Sequence, residues 1–230
     1  MIKKALILLF FSGCFIVNAQ DEAEETLGAW YMYTGTNRVS ERLSVHTEAQ
    51  IRYYGTTDNF NQLILRTGLN YHINPNTMAT IGYGFIDTDP LFGEVPGEEN
   101  FKENRIYEQF VMKSTLWEFH IEHRYRLEHR FFDYGDDTET QHRVRYRLQL
   151  TLPLTDIFFI NLYDELMVNL QDDLFGQNRI YAALGINITH NSNLQLGYLR
   201  NQFTNGVYDR LQVALTYNPD LRGLFQKKKS

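Results

Sequence analysis

Residues 143–152 read RVRYRLQLTL. Val144, Tyr146, Leu148, Leu150 and Leu152 are apolar, and Arg143, Arg145, Arg147, Gln149 and Thr151 alternate with them. Successive side chains of a strand point to opposite faces, so the stretch predicts a strand with one apolar and one polar wall. Residues 43–53 repeat the pattern. Leu43, Val45, Thr47, Ala49, Ile51 and Tyr53 share one side, and Ser44, His46, Glu48, Gln50 and Arg52 share the other. No comparable stretch has helical spacing.

Working outward, the same period predicts strands near 27–34, 42–53, 60–73, 78–87, 103–114, 116–131, 141–152, 157–169, 177–190, 193–203 and 207–218. The connections alternate in length. Asn74-Pro75-Asn76, Ser114-Thr115, Pro153-Leu154-Thr155 and Asn191-Ser192 read as short turns. Longer, acidic, glycine-bearing loops are expected at 55–59, 88–102, 133–140 and 171–177. Short turns on one rim and long loops on the other is the layout of an up-and-down antiparallel transmembrane β-barrel. The expected size is about 10–12 strands. Eleven segments is an odd count, and single-chain bacterial barrels usually have an even one. Either 27–34 is not a wall strand, or one strand is hidden.

Alternation also occurs in half-buried soluble sheets, and three observations favour the membrane. The segments run to 10–14 residues, whereas soluble strands average about 5–6. The chain has 15 Tyr and 16 Phe, and aromatics crowd strand ends, as at Tyr53, Tyr54, Trp117, Phe131, Phe132, Phe158 and Tyr217. Between residues 21 and 218 the only lysines are Lys102 and Lys113, against 14 arginines. A polar face enclosed in a narrow lumen favours Arg, whose planar fork pairs with carboxylates.

The 230 residues fit one all-β domain, and the net charge of -6 gives no reason to expect a nucleic-acid partner. Residues 1–19 read as a cleaved signal peptide: Lys3 and Lys4, an apolar run from Ala5 to Val17, then Val17-Asn18-Ala19. Phe11-Ser12-Gly13-Cys14 resembles a lipoprotein box, but apolar residues follow Cys14 where a lipoprotein turns polar. Cleavage after Ala19 removes the sole cysteine, and with it any disulfide, zinc thiolate or thiol nucleophile. Residues 20–26 form an acidic N-terminal segment, 27–218 the barrel and 219–230 a basic tail.

The runs LGAWYMYTGTNRVSERLSVHTEAQIRYY, NQLILRTGLNYHI, HRYRLEHRF, RVRYRLQLTLPL and QNRIYAALGI resemble a family of uncharacterised bacterial outer-membrane β-barrels known only as a domain of unknown function. The resemblance spans roughly residues 26–218. It implies export and a barrel in outer-membrane lipid, and it brings no activity, ligand or catalytic residue.

The densest cluster of ionisable groups is HIEHRYRLEHR, residues 120–130. As a metal motif, His120-x-x-His123 fails on a strand, because residues three apart face opposite sides. Parity gathers Glu118, His120, Glu122, Arg124, Arg126, Glu128 and Arg130 on one face. Paired with Arg143, Arg145 and Arg147 in a hairpin, and joined by Arg52, Arg66, Glu165 and Arg179, they form an expected lumen-lining charge network. Cross-strand Arg–Glu pairing is its simplest role, and a charge ring biasing passage of a small solute toward anions or sugars is the alternative. No metal or cofactor is expected.

The only Ser/His/acid alignment is Ser44, His46 and Glu48, a weak candidate for a lipid-modifying enzyme. A soluble periplasmic ligand-binding barrel is the third class. Glu108 and the pair Asp164-Glu165 interrupt apolar sets, which predicts either a register slip or a carboxylate on an unfavourable face.

Overall fold

The computed structural model describes residues 22–93, 99–135, 137–171 and 173–225. The expected signal peptide and the end of the basic tail lie outside the described residues. Eleven strands form the wall: β1 Gly28–Arg38, β2 Leu43–Tyr53, β3 Phe60–Asn74, β4 Thr77–Thr88, β5 Phe101–Leu116, β6 Phe119–Asp133, β7 Thr138–Pro153, β8 Phe158–Asn169, β9 Phe175–Thr189, β10 Ser192–Gln202 and β11 Val207–Tyr217. Each pairs with its chain neighbours, and the sheet closes into a barrel. Two single-turn helices, α1 Glu22–Glu25 and α2 Arg222–Phe225, flank it.

The strand parity resolves against both alternatives. β1 is a wall strand, and no strand is hidden among the described residues. A meander with an odd number of strands brings its first and last strands together pointing the same way, so closure can only be parallel. β1 pairs β11 in parallel from Gly28↔Arg210 to Gly35↔Tyr217, and every other strand–strand pairing is antiparallel.

The chain after β11 braces this seam. Arg38 N–H donates to Pro219 O at 2.9 Å and Leu221 N–H to Arg38 O at 2.8 Å. β1 starts beside the 54–59 loop, since Ala29 pairs with Tyr53. The barrel therefore begins on the long-loop rim and ends on the short-turn rim.

Two loops are shorter than expected. β6 ends at Asp133 and β7 starts at Thr138, and β9 starts at Phe175, so strand pairing extends into residues that read as loop. Most of the rim asymmetry comes from the 89–100 connection.

The expected turn at Ser114-Thr115 is displaced. β5 runs on to Leu116, and the turn is Trp117-Glu118. Trp117 adopts φ 56° there, a left-handed conformation uncommon for a bulky side chain.

The outer wall is apolar all the way round. Tyr31, Ile51, Leu65, Ile81, Ile106, Tyr125, Val144, Leu162, Leu184, Leu196 and Leu215 give each strand at least one exposed large hydrophobic side chain. The inner wall is polar with an apolar sector, where Trp30, Tyr181, Ala183 and Leu199 cluster with Met32 and Tyr163.

A strand spacing near 4.8 Å and a tilt near 40° make the backbone cylinder about 22 Å across. Ordinary side chains fill an eight-strand barrel; at eleven strands only long ones reach the axis. Arginine and tyrosine do so here. Gly82 makes room for one of them, since a Cβ on it would lie 2.2 Å from the Tyr107 ring, which is fully buried.

Candidate functional site: the barrel interior

β6 and β7 pair in the expected hairpin, with a different detail from simple Arg-beside-Glu alignment. Glu128 lies opposite Arg143, but Arg126 lies opposite Arg145 and Arg124 opposite Arg147. Like charges directly opposite are unfavourable, and long side chains relieve this by reaching diagonally to glutamates on neighbouring rows.

Glu128 accepts from Arg143 Nη2 at 2.7 Å, Arg145 Nη1 at 2.8 Å and Arg105 Nη1 at 3.3 Å, with Arg126 Nη1 at 3.6 Å. Glu165 accepts from Arg145 Nη2 at 2.8 Å and from Arg124. Glu103 takes Arg105 Nε at 2.6 Å and Arg130 Nη2 at 3.0 Å. Glu48 pairs with Arg66 and accepts from Gln50.

These four carboxylates are sealed from solvent, Glu128 completely. Charges moved out of water must be paired and hydrogen-bonded, and each of the four has at least two donors.

Of the expected network, Arg52, Arg66, Glu122, Arg124, Arg126, Glu128, Arg130, Arg143, Arg145, Arg147, Glu165 and Arg179 take part in hydrogen bonds or ion pairs of the interior. Arg52 is held by Gln50 and Gln62 instead of a carboxylate. Glu118 is a correction: it occupies the β5–β6 turn and is exposed, because strand parity stops where the turn begins. His120 keeps its inner parity but sits exposed at the short-turn mouth, where Glu122 holds Arg147 Nη2 at 2.7 Å and Lys113 Nζ at 3.6 Å. His123 faces outward, its Nδ1 2.9 Å from the Tyr146 hydroxyl, so the two histidines do not share a site.

Glu103, Arg105 and Arg210 belong to the interior and were missed in the sequence. The first two lie with Tyr107 on the odd parity of 103–114, where Glu108 on the opposite face blurs the alternation.

The Ser/His/acid alignment is split between two histidines. Ser44 Oγ lies 2.8 Å from His72 Nε2 and accepts from Asn70 Nδ2 at 3.0 Å, while His46 Nε2 lies 3.2 Å from Glu48 Oε2. Ser44 is fully buried, and no hydrogen bond joins it to His46.

The register is unbroken at Glu108 and at Asp164, so both carboxylates face outward, and Glu165 faces inward. Glu108 lies 3.4 Å from His129 Nε2, whose Nδ1 is 2.8 Å from His142 Nδ1. Asp164 accepts from Asn178 Nδ2 at 2.7 Å.

Two cavities open from the interior. One, of about 440 Å³, lies at the long-loop rim. The other, of about 390 Å³, lies at the short-turn rim beside His120 and Glu122. Along the strands the Glu128 and Glu165 clusters lie between them.

A closed meander with an ion-paired polar interior and an apolar exterior defines the class: an up-and-down β-barrel. The chain belongs to the family described as protein of unknown function (DUF2490), whose model matches residues 27–212. Among solved structures it is similar to the crystal structure of the siderophore receptor PirA from Pseudomonas aeruginosa, at 13% identity and a TM-score of 0.34. That match covers 76% of this chain and 34% of the other, so the chain spans about a third of the receptor's length. No curated protein matches it.

Proposed function

We propose that the protein is an integral β-barrel of a Gram-negative outer membrane, with a filled waist rather than an open pore. The observation that carries this is the belt of exposed apolar side chains on all eleven strands. Water-soluble monomers rarely expose contiguous apolar patches beyond a few hundred Å², whereas lipid requires such a surface on every strand. Trp117, 82% exposed at a turn tip, suits an aromatic anchor at a membrane interface. Every strand has at least 11 residues, and a tilted strand needs about 9–11 to cross.

The sealed glutamates support a structural interior over a free solute path. A buried Ser44 bonded to His72 and Asn70, apart from the His46–Glu48 pair, favours this reading over a lipid-modifying enzyme. Outer-membrane lipid is then the principal partner.

Cell fractionation tests the reading, with a gel run before and after heating. Recovery in the outer membrane with a heat-dependent shift is the expected result, together with little or no conductance in planar bilayers. Recovery in a soluble fraction would overturn the membrane assignment, and steady ohmic conductance would overturn the filled waist.

A further inference from the structure

The 440 Å³ vestibule has an unusual wall. Eight arginines line it, and no aspartate or glutamate does among the described residues. Glu48, Glu103, Glu128 and Glu165 lie behind that wall, bonded to the same guanidinium groups and withdrawn from the open space. The carboxylates fix the arginines in place and offset part of their charge from behind, while among the described residues the only charged groups on the surface that a solute would meet are guanidinium ions.

Three of the eight are weakly compensated. Arg52 and Arg210 have no carboxylate within 4.0 Å among the described residues, and Arg179 has only Glu165, at 3.9 Å. Arg52 and Arg179 instead lie over the Trp30 ring, at 3.7 and 4.8 Å from its centroid. Stacking on an aromatic face orients a guanidinium while leaving in-plane donors available.

A second observation points to a missing partner. Trp30 lines the vestibule and is 4% exposed, yet its indole Nε1 has no hydrogen-bond partner. Arg66 Nε, on the same wall, is likewise buried and unpartnered. Buried donors are rarely left unmade, because each costs its desolvation.

We propose that this vestibule is a binding site for a small, soluble, multivalent oxyanion bearing phosphate or carboxylate groups. Arg52, Arg179 and Arg210 are its principal ligands, and Trp30 is its floor. The proposal rests on the membrane reading, since a lipid-covered wall leaves the mouths as the ways in.

Guanidinium forks match phosphate and carboxylate oxygens in pairs. A volume of about 440 Å³ is within the range of sites for drug-sized ligands. The amides of Asn61, Gln62, Gln177 and Asn201 line the same space and can accept from hydroxyls on the ligand's carbon skeleton. The rim acids Asp58 and Asp137 are exposed, where water and salt screen them within about 10 Å.

The test measures binding of inorganic pyrophosphate, citrate and glucose to the full-length protein in detergent, with Trp30 fluorescence as one readout and equilibrium dialysis as another. The expected result is saturable binding of both anions and none of glucose, with at least a tenfold loss between 50 and 500 mM NaCl. Arg52→Gln and Arg179→Gln should each weaken anion binding at least tenfold while keeping the heat-dependent gel shift. Arg147→Gln, at the other mouth, should leave binding within twofold and serves if either vestibule variant does not fold.

Several outcomes would overturn the proposal. These are no anion binding by folded protein, equal loss in all three variants, or retention only by vesicles containing phosphatidic acid, which would place the phosphate on a lipid. Failure of the membrane reading would show separately, in the fractionation, and would leave these binding curves unchanged.

Discussion

Replacing Glu128 by glutamine tests the interior most sharply. Its carboxylate is fully buried and contacts Arg105, Arg126, Arg143 and Arg145. Glutamine keeps the shape and one acceptor oxygen but removes the charge, so Arg143 loses its only carboxylate within 4.0 Å among the described residues. Arg145 keeps Glu165, Arg105 keeps Glu103, and Arg126 keeps Gln109 and the face of the Tyr107 ring.

Removing one member of a buried ion pair costs about 3–5 kcal/mol, because the partner's charge is left uncompensated. With two arginines left without a carboxylate partner, Glu128→Gln should fall in that range and not below it. The assay is urea unfolding in lipid vesicles, followed by tryptophan fluorescence. Trp30 reports the lumen and Trp117 the rim, and a single coincident transition justifies a two-state reading. Adding Arg143→Met to Glu128→Gln should recover about 1–3 kcal/mol of coupling. A cost for Glu128→Gln below about 1 kcal/mol would refute the sealed network, because it would mean that water already reaches those arginines.

The two walls should differ sharply in tolerance: Arg145→Leu should lower the unfolding midpoint strongly, whereas Val144→Leu should leave it nearly unchanged, and equal effects would show that the faces are reversed. Gly82→Val should cost at least about 2 kcal/mol in the same unfolding assay, because its side chain must displace the buried Tyr107 ring. Glu108→Leu places an apolar group on the outer wall, so unchanged or raised stability in vesicles is expected, and a loss above about 1 kcal/mol would argue that this surface is wet. Outside the barrel wall, hydrogen bonds from Arg222 hold the Asp220 carboxyl below its ordinary 3.8, at about 2. A carboxylate with a depressed folded value stabilises above its unfolded value and loses that contribution as pH falls through the folded one. Hydrogen exchange at the Leu221 amide should therefore accelerate as pH drops from 3.8 towards about 2, after correction for intrinsic exchange, and Asp220→Asn should remove that pH dependence.

Most of the wall was legible because its signal is repeated in every strand. Alternation over 10 or more residues leaves one face for the outside of the barrel and one for the lumen, and a one-residue slip would invert both. That redundancy is why all eleven segments of the sequence reading correspond to strands. The ends were less legible, because pairing energy, rather than local composition, decides how far a strand runs. Residues 138–140 read as loop for their polarity, yet they pair with 131–133. The β5–β6 turn escaped for a related reason: Ser114-Thr115 has turn-like composition, while the real turn places Trp117 in a conformation that propensity disfavours. The misplacement of Glu118 follows from that single shift.

The interior was legible as a set of residues and illegible as a set of pairs. Parity says which side chains enter the lumen, but ion pairing depends on register between strands and on diagonal reach, which no single strand encodes. Arg145 illustrates this: it lies opposite Arg126 on one side and Met167 on the other, and it pairs with Glu128 and Glu165, one row away from each. At the vestibule the numbers of the two charges matter as well. Arginines outnumber glutamates in the interior, and the buried glutamates are covered by the guanidinium groups they hold, so the mouth presents cations. A sequence count of Arg and Glu along 118–130 reads as balanced and conceals this excess. The anion selectivity proposed for the vestibule rests, on this reasoning, on the excess of interior arginine over glutamate and on the burial of those glutamates beneath the guanidinium groups they hold.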